Sequence, residues 1–268
     1  KHSADETHVM AIVNITTDSF SDGGLFNDFK SAVAHASFCI EQGAQILDIG
    51  AQSTRPGADE VGTEIEIKRL IPVIKELKLR HPDIPISIDT YHHSVAQVAL
   101  DSGADIINDI SGGRHDHEIF KVVADYGCQY VLTHSRGTSK TMDSLSSYKN
   151  VLIDVKNELS NQINLALSSG INNKQIIIDP GIGFAKNVDQ NLALLRNLDE
   201  FVNMKYPVLV GASRKRFIGS VINETDPNKR IFGTAAVVAR CVIEGVNFVR
   251  VHDIEEICQV IKMTKAII

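Results

Sequence analysis

The sequence has no uninterrupted apolar run approaching the roughly 18 residues that a membrane-crossing helix needs. It also lacks the basic, apolar, small-residue succession of a secretion signal. Its four cysteines, Cys39, Cys128, Cys241 and Cys258, show no CxxC spacing. They fall in apolar patterns, which points to free thiols in a reducing compartment and away from zinc or disulfides. A basic excess is missing too: 27 Lys and Arg against 33 Asp and Glu give a net charge of −6. That excludes nucleic acid or an anionic membrane as the main partner, so any positive site must be local. No GxGxxG follows the first apolar run and no GxxxxGK[ST] occurs anywhere, which removes dinucleotide and P-loop sites. No HxH pair opens the chain for an amidohydrolase metal centre, although His92, His93, His115, His117 and His134 are present.

What is there is repetitive. QIIIDPGIGF, residues 175 to 184, runs three isoleucines into Asp179 and stops on Pro180 and Gly181. A β-branched run without alternation reads as a strand covered on both faces, with the aspartate where it surfaces. Seven more short runs have the same character: 9–15, 45–50, 85–90, 105–110, 129–135, 207–213 and 248–253. Segments with apolar residues at helical spacing lie between them, such as 32–43, 64–78, 93–103 and 191–202. Several end on glycine just before the next run, at Gly43, Gly103, Gly127 and Gly245, the expected left-handed helix terminator. This alternation predicts an α/β fold, a single (β/α)8 TIM barrel formed by residues 1–268 as one domain.

In such a barrel the C-terminal strand ends share one mouth, where sites are built. They carry Asn14, Asp48, Asp89, Asn108, His134, Asp179, Ser213 and His252, with Asp48 and His134 open to a structural role within the rim. The first βα loop, NITTDSFSDGGLF, is long and hinge-rich and reads as a lid. In the second, AQSTRPGADE, a stiff turn holds Thr54 and Arg55 before Pro56. The seventh, ASRKRFIG, sets Ser213, Arg214, Lys215 and Arg216 at a helix start, a natural place for an anion. RVHD brings Arg250 and His252 to the same side of a strand. Buried carboxylates require donors, so Asp89, Asp179 and Asn108 call for a flat heterocycle with an amidine-like edge, with Lys215 on its carbonyl. Arg55, Arg250 and His252 make a separate pocket for phosphate or pyrophosphate, and Asn14 can help hold an accompanying magnesium ion.

The ordered phrases NITTDSFSDGG, LDIGAQSTRPGA, SIDT, NDISGG, DPGIGFAK, SRKRFIG and RVHD resemble the dihydropteroate synthase family across essentially the whole chain. The spacing from THSRG to DPGIGF, and SRKRFIG itself, resemble its fungal branch, where the synthase is part of a multifunctional folate-pathway polypeptide. The chain beginning on Lys1 accords with an excised domain.

The resemblance implies a transferase that joins 6-hydroxymethyl-7,8-dihydropterin pyrophosphate to p-aminobenzoate with Mg2+. It further implies inhibition by sulfonamides, a homodimer, and an intracellular location, cytoplasmic or mitochondrial. Asp89, Asn108, Asp179 and Lys215 would hold the pterin with Phe184 beside it. Asn14, Arg55, Arg250 and His252 would hold magnesium and pyrophosphate. Phe20, Asp22, Thr54, Arg55 and Pro56 would close over the aminobenzoate, and Ser213 to Arg216 would line its carboxylate end. Asp22, Arg55 and Lys215 would be catalytic, acting on a dissociative, cation-like transition state. Thr17 stands where the family pattern has proline, and Arg216 where many bacterial members have serine. A pterin-binding methyltransferase barrel is the alternative within enzymes, although it has no reason to carry STRPG or RVHD. An inactive scaffold would be expected to have lost Asn14, Arg55 or Lys215 first.

Overall fold

The computed structural model describes residues 6–15, 22–52 and 61–268, with 22–27 described by their backbone alone. The strands are β1 (His8–Asn14), β2 (Ile46–Gly50), β3 (Ile86–Asp89), β4 (Ile106–Asp109), β5 (Gln129–Thr133), β6 (Ile176–Asp179), β7 (Leu209–Val210) and β8 (Phe248–Val251). The α-helices between and after them are α1 (Asp22–Glu41), α2 (Thr63–Arg80), α3 (His93–Asp101), α4 (Glu118–Tyr126), α5 (Val151–Ser168), α6 (Val188–Arg196), α7 (Asp199–Val202), α8 (Arg216–Ile222), α9 (Ile231–Ile243) and α10 (Ile254–Ile267). The sheet runs β6-β5-β4-β3-β2-β1-β8-β7. All named pairs are parallel, and a bridge between Ile178 and Val208 joins its two ends. The result is the single (β/α)8 barrel that the sequence pattern predicts.

Strand side chains alternate with period two, and the two apolar clusters separate along that alternation. Met10, Ile46, Ile106, Val131, Ile177, Leu209 and Phe248 form the inner plug. Leu47, Ile49, Tyr130, Leu132, Ile176 and Ile178 face outward into the larger layer shared with the helices. Each fully buried side chain of this size contributes roughly 1.5–3 kcal/mol. Continuing the inner parity toward the C-terminal ends brings Asn14, Asp48, Asp89, Asn108, Thr133, Asp179 and Arg250 to the barrel axis. His134 is out of phase with them. Its imidazole is fully buried behind the barrel wall, so it is not one of the polar ends converging on the mouth.

Local signals set the helix ends. Asn150 caps α5 by accepting from the backbone N–H of Leu152 and Ile153, and Asn187 with Gln190 forms a capping box on α6. Gly127 ends α4 at φ +66°, as its glycine predicts. The pattern expected as one helix over 191–202 is broken instead. α6 ends at Arg196, Asn197 bonds back to the Ala193 carbonyl at 2.8 Å, and α7 begins at Asp199.

Candidate active site

The floor of the mouth is a charge network. Asp48, fully buried on β2, accepts from Ser87 Oγ at 2.6 Å, Asn108 Nδ2 at 3.1 Å and Arg250 Nε at 2.5 Å. Arg250 Nη2 donates to Asp89 Oδ2 at 2.7 Å. Strand register explains the meeting: Gly50 pairs with both Asn14 and Asp89, and Asp89 pairs with Asn108. A Cβ added to Gly50 would sit 3.4 Å from Asp89 Cβ and 3.7 Å from Asn14 Oδ1, so these two side chains border the space above that residue.

One guanidinium cannot neutralise two buried carboxylates. Burial pushes the Asp89 carboxyl up to about 7; Arg250 opposes this, while Asp48 and Asp109 add to it. Burial works against the Arg250 charge, but Asp48 and Asp89 outweigh it and keep that group firmly cationic. Asp48 therefore has the structural rim role left open for it, as the hub that orients Asn108 and Arg250.

Asp179 ends β6 and is 6% exposed. Burial raises its pKa, opposed by Lys215, by the Gly181 N–H at 2.7 Å, by Lys186 and by Arg250. The loop that follows is held from behind. Gly181 has φ +69°, and a Cβ there would lie 1.8 Å from the His134 carbonyl oxygen, so only glycine permits the close approach. Lys186 Nζ donates to the carbonyls of Gly181 and Phe184, each at 2.9 Å, and lies 3.0 Å from His134 Nδ1. An ammonium has three donors, and here it meets three acceptors.

That fixes His134 with Nδ1 as acceptor and Nε2–H donating to Glu158 Oε2 at 3.0 Å. Burial, then the Lys186 charge, drive the imidazole pKa down to about 3, so it stays neutral. Burial likewise pulls Lys186 down to about 7, against Asp179. Sequence reasoning missed Lys186, although it ends the very phrase DPGIGFAK that carries Asp179.

Lys215 follows β7, and its Nζ donates to the Ile182 carbonyl and lies 4.3 Å from the centroid of the Phe184 ring. Burial lowers its pKa to about 8, partly offset by Asp179. Ser213 Oγ accepts from the His252 backbone N–H at 3.2 Å and lies 3.0 Å from His252 Nδ1, which holds the imidazole beside the seventh turn.

Two of the basic residues point elsewhere. Arg214 is bound to Asp253 at 2.5 and 3.1 Å and to Asn228 at 2.7 Å, so it secures the turn and does not line the mouth. Arg216 opens α8 with an exposed side chain paired to Asp143 at 2.9 Å. Asn14 ends β1 exposed to the mouth. Asp22 begins α1, described by its backbone alone, and Phe20, Thr54, Arg55 and Pro56 lie outside the described residues. A cleft of about 260 Å³ adjoins Phe184 and is lined further by Tyr91, Ile110, Ser111, Arg114 and Ser135.

Paired buried carboxylates, an amide and a lysine at one barrel mouth accord with the sequence match: residues 10–252 of this chain match the family described as pterin binding enzyme. The chain belongs to the pterin binding enzymes. Within them it resembles dihydropteroate synthase of Synechocystis, 46% identical over 97% of this chain and 90% of that one. The Folic acid synthesis protein fol1 of Pneumocystis carinii is 43% identical over 97% of this chain and 36% of its own length. Bacterial and fungal relatives thus stand at similar identity, and the expected fungal branch is not distinguished by it.

Among solved structures, the Clostridium difficile dihydropteroate synthase in the presence of pteroic acid superposes with a TM-score of 0.91 at 41% identity, covering 98% of this chain and 97% of that one. The Xanthomonas albilineans enzyme in complex with 7,8-dihydropteroate gives 0.87 at 34%, covering 99% and 95%. The Yersinia pestis enzyme with a sulfonamide drug gives 0.92 at 34%, covering 98% and 95%.

Proposed function

We propose that this pterin binding enzyme condenses 6-hydroxymethyl-7,8-dihydropterin pyrophosphate with p-aminobenzoate to give 7,8-dihydropteroate and pyrophosphate in folate biosynthesis. The observation that carries the reading is the pair of buried inward carboxylates, Asp89 and Asp179, with Asn108 between their strands and Lys215 above. Desolvated acceptors at that depth favour a ligand that brings N–H donors. Asp179 and Asn108 take the amidine edge of the ring, Phe184 covers its face, and the Lys215 ammonium donates to its carbonyl. The electron-rich dihydropterin spreads the positive charge left on its methylene carbon, and Asp22 with the ring-binding carboxylates stabilises that charge. The aniline nitrogen then attacks without needing a strong base.

Pyrophosphate is assigned to Asn14, Arg55, Arg250 and His252. Nε and Nη2 of Arg250 are committed to Asp48 and Asp89, so its remaining N–H donors serve the anion. Among the described residues no group of three His, Cys, Asp or Glu side chains could hold a metal ion. Asn14 nevertheless fits magnesium, because this ion takes most of its oxygens from phosphate and water, and the carboxamide faces the mouth. When bound, magnesium supplies charge neutralisation on the leaving pyrophosphate. The Ser213 turn serves the aminobenzoate carboxylate, and a sulfonamide would compete there.

A homodimer is part of the same reading, supported by exposed apolar side chains on two helices that pack together, Phe232 of α9 at 84% exposure and Val221 and Ile222 of α8. Light scattering tests it. An intracellular site, cytoplasmic or mitochondrial, is supported by four cysteines that are all free thiols. Membership in a multifunctional polypeptide rests on the fungal-like phrases alone, and the complete coding sequence tests it. The decisive experiment for the activity is pyrophosphate release that requires both substrates and magnesium, with dihydropteroate as the product. Release without p-aminobenzoate, or none with all three, would overturn it.

A further inference from the structure

Thr133 is the last residue of β5 and is 1% exposed. It shares the parity of Val131, which belongs to the inner plug, so its side chain faces the barrel axis while Tyr130 and Leu132 face the helices. Its Cα is paired with that of Asp179 on β6, and β4 on its other side presents Asn108 one inward level below. Its Oγ has no hydrogen-bond partner among the described residues. A buried hydroxyl without a partner weakens the folded state and is uncommon in native proteins, where such an atom calls for an explanation. Valine would fill the same β-branched volume on a strand without that cost, so the hydroxyl is an expense the fold itself does not need.

We propose that Thr133 is a further ring-positioning residue, its Oγ accepting a hydrogen bond from the amino group on the amidine edge of the pterin. The assignment rests on the pterin reading above. Flanked by the Asp179 carboxylate and the Asn108 carboxamide, the hydroxyl completes an arc of three polar groups on adjacent strands along one edge of the ring. A hydroxyl accepts from an amino group and can also donate to a ring oxygen, so it favours a polar substituent on that edge, and a ring with only C–H there leaves it unpaired. Thr133 thereby selects 2-amino over 2-deamino bicycles.

The test uses the whole chain with Thr133→Val, which keeps the shape and removes the hydroxyl, and Thr133→Ser, which keeps the hydroxyl. Calorimetric titration with 6-hydroxymethylpterin and with its 2-deamino counterpart, 6-(hydroxymethyl)pteridin-4(3H)-one, measures affinity, and thermal unfolding measures stability. The valine variant should melt at or above the wild-type temperature. It should also bind the aminopterin at least about fivefold more weakly, the scale of one lost hydrogen bond. The serine variant should stay within about twofold of wild type, and the valine variant should lose no affinity for the 2-deamino ring. A valine variant that binds the aminopterin as wild type does, loses affinity for both ligands equally, or fails to fold overturns the proposal. If wild type binds neither ligand, the pterin reading itself falls and takes this assignment with it.

Discussion

Replacing Asp89 by Asn should stabilise the protein above neutral pH and weaken its hold on the pterin at the same time. Asp89 and Asp48 share the single guanidinium of Arg250 at 2.7 and 2.5 Å, and Asp89 is 5% exposed. Burial, with Asp48 and Asp109 adding to it, holds the Asp89 carboxyl at about 7 against 3.8 in an unperturbed chain. The folded state therefore keeps this proton where the unfolded state has lost it. The group favours folding fully below pH 3.8 and loses that advantage as the pH rises through about 7.

A gap of about three pH units at 1.36 kcal/mol each amounts to roughly 4 kcal/mol. Asparagine does not titrate, and its Oδ1 still accepts from Arg250. The stability advantage of Asp89→Asn over wild type should thus grow by about 2–4 kcal/mol between pH 5 and pH 8. At roughly 2–4 °C per kcal/mol for a chain of this size, the gap in Tm opens by on the order of 5–15 °C. Above about pH 7, where the wild-type carboxylate is charged, pterin affinity should move the other way, by about 1–3 kcal/mol, because a charge-assisted acceptor becomes neutral. Thermal unfolding across this pH range and calorimetric titration with pteroic acid measure both. A Tm difference that is constant with pH or widens toward acid, or an unchanged affinity, would refute the reasoning.

Lys215→Met keeps the aliphatic stem over Phe184 and removes the ammonium, so the fold should hold while kcat/KM falls at least about 10²-fold. In wild type, kcat/KM should decline as the pH rises through about 8, where Lys215 loses its charge. Gly181→Ala sets a Cβ 1.8 Å from the His134 carbonyl at φ +69°, and chemical denaturation should register a loss of at least about 2 kcal/mol. Binding should be ordered: p-aminobenzoate or a sulfonamide should bind at least about tenfold more tightly with magnesium pyrophosphate and pterin present than to the empty enzyme. Arg55→Ala should erase most of that difference, and equal affinities with and without magnesium pyrophosphate and pterin would remove the lid argument.

Period, punctuation and strand-end chemistry were legible in the sequence because they are local. Three isoleucines before Asp179 specify a doubly covered strand, Gly127 specifies a helix end, and eight repeats of that alternation leave a barrel as the way to cover every strand. Counting by twos along each strand would also have exposed His134 as outward-facing and Thr133 as inward-facing, a signal present in THSRG but masked by the prominence of histidine. What the chain could not declare by itself was partnership across distance. Arg250 lies 202 residues from Asp48 and 161 from Asp89 in sequence, and only barrel closure through β1 and β8 sets one cation between two buried acids. The same closure sends Arg214 to Asp253, Arg216 to Asp143, and Lys186 to a neutral His134. In sequence these are all simply basic residues near a mouth. Which of them faces a ligand is decided by the nearest acceptor, and for side chains with such long reach that acceptor belongs to the tertiary structure.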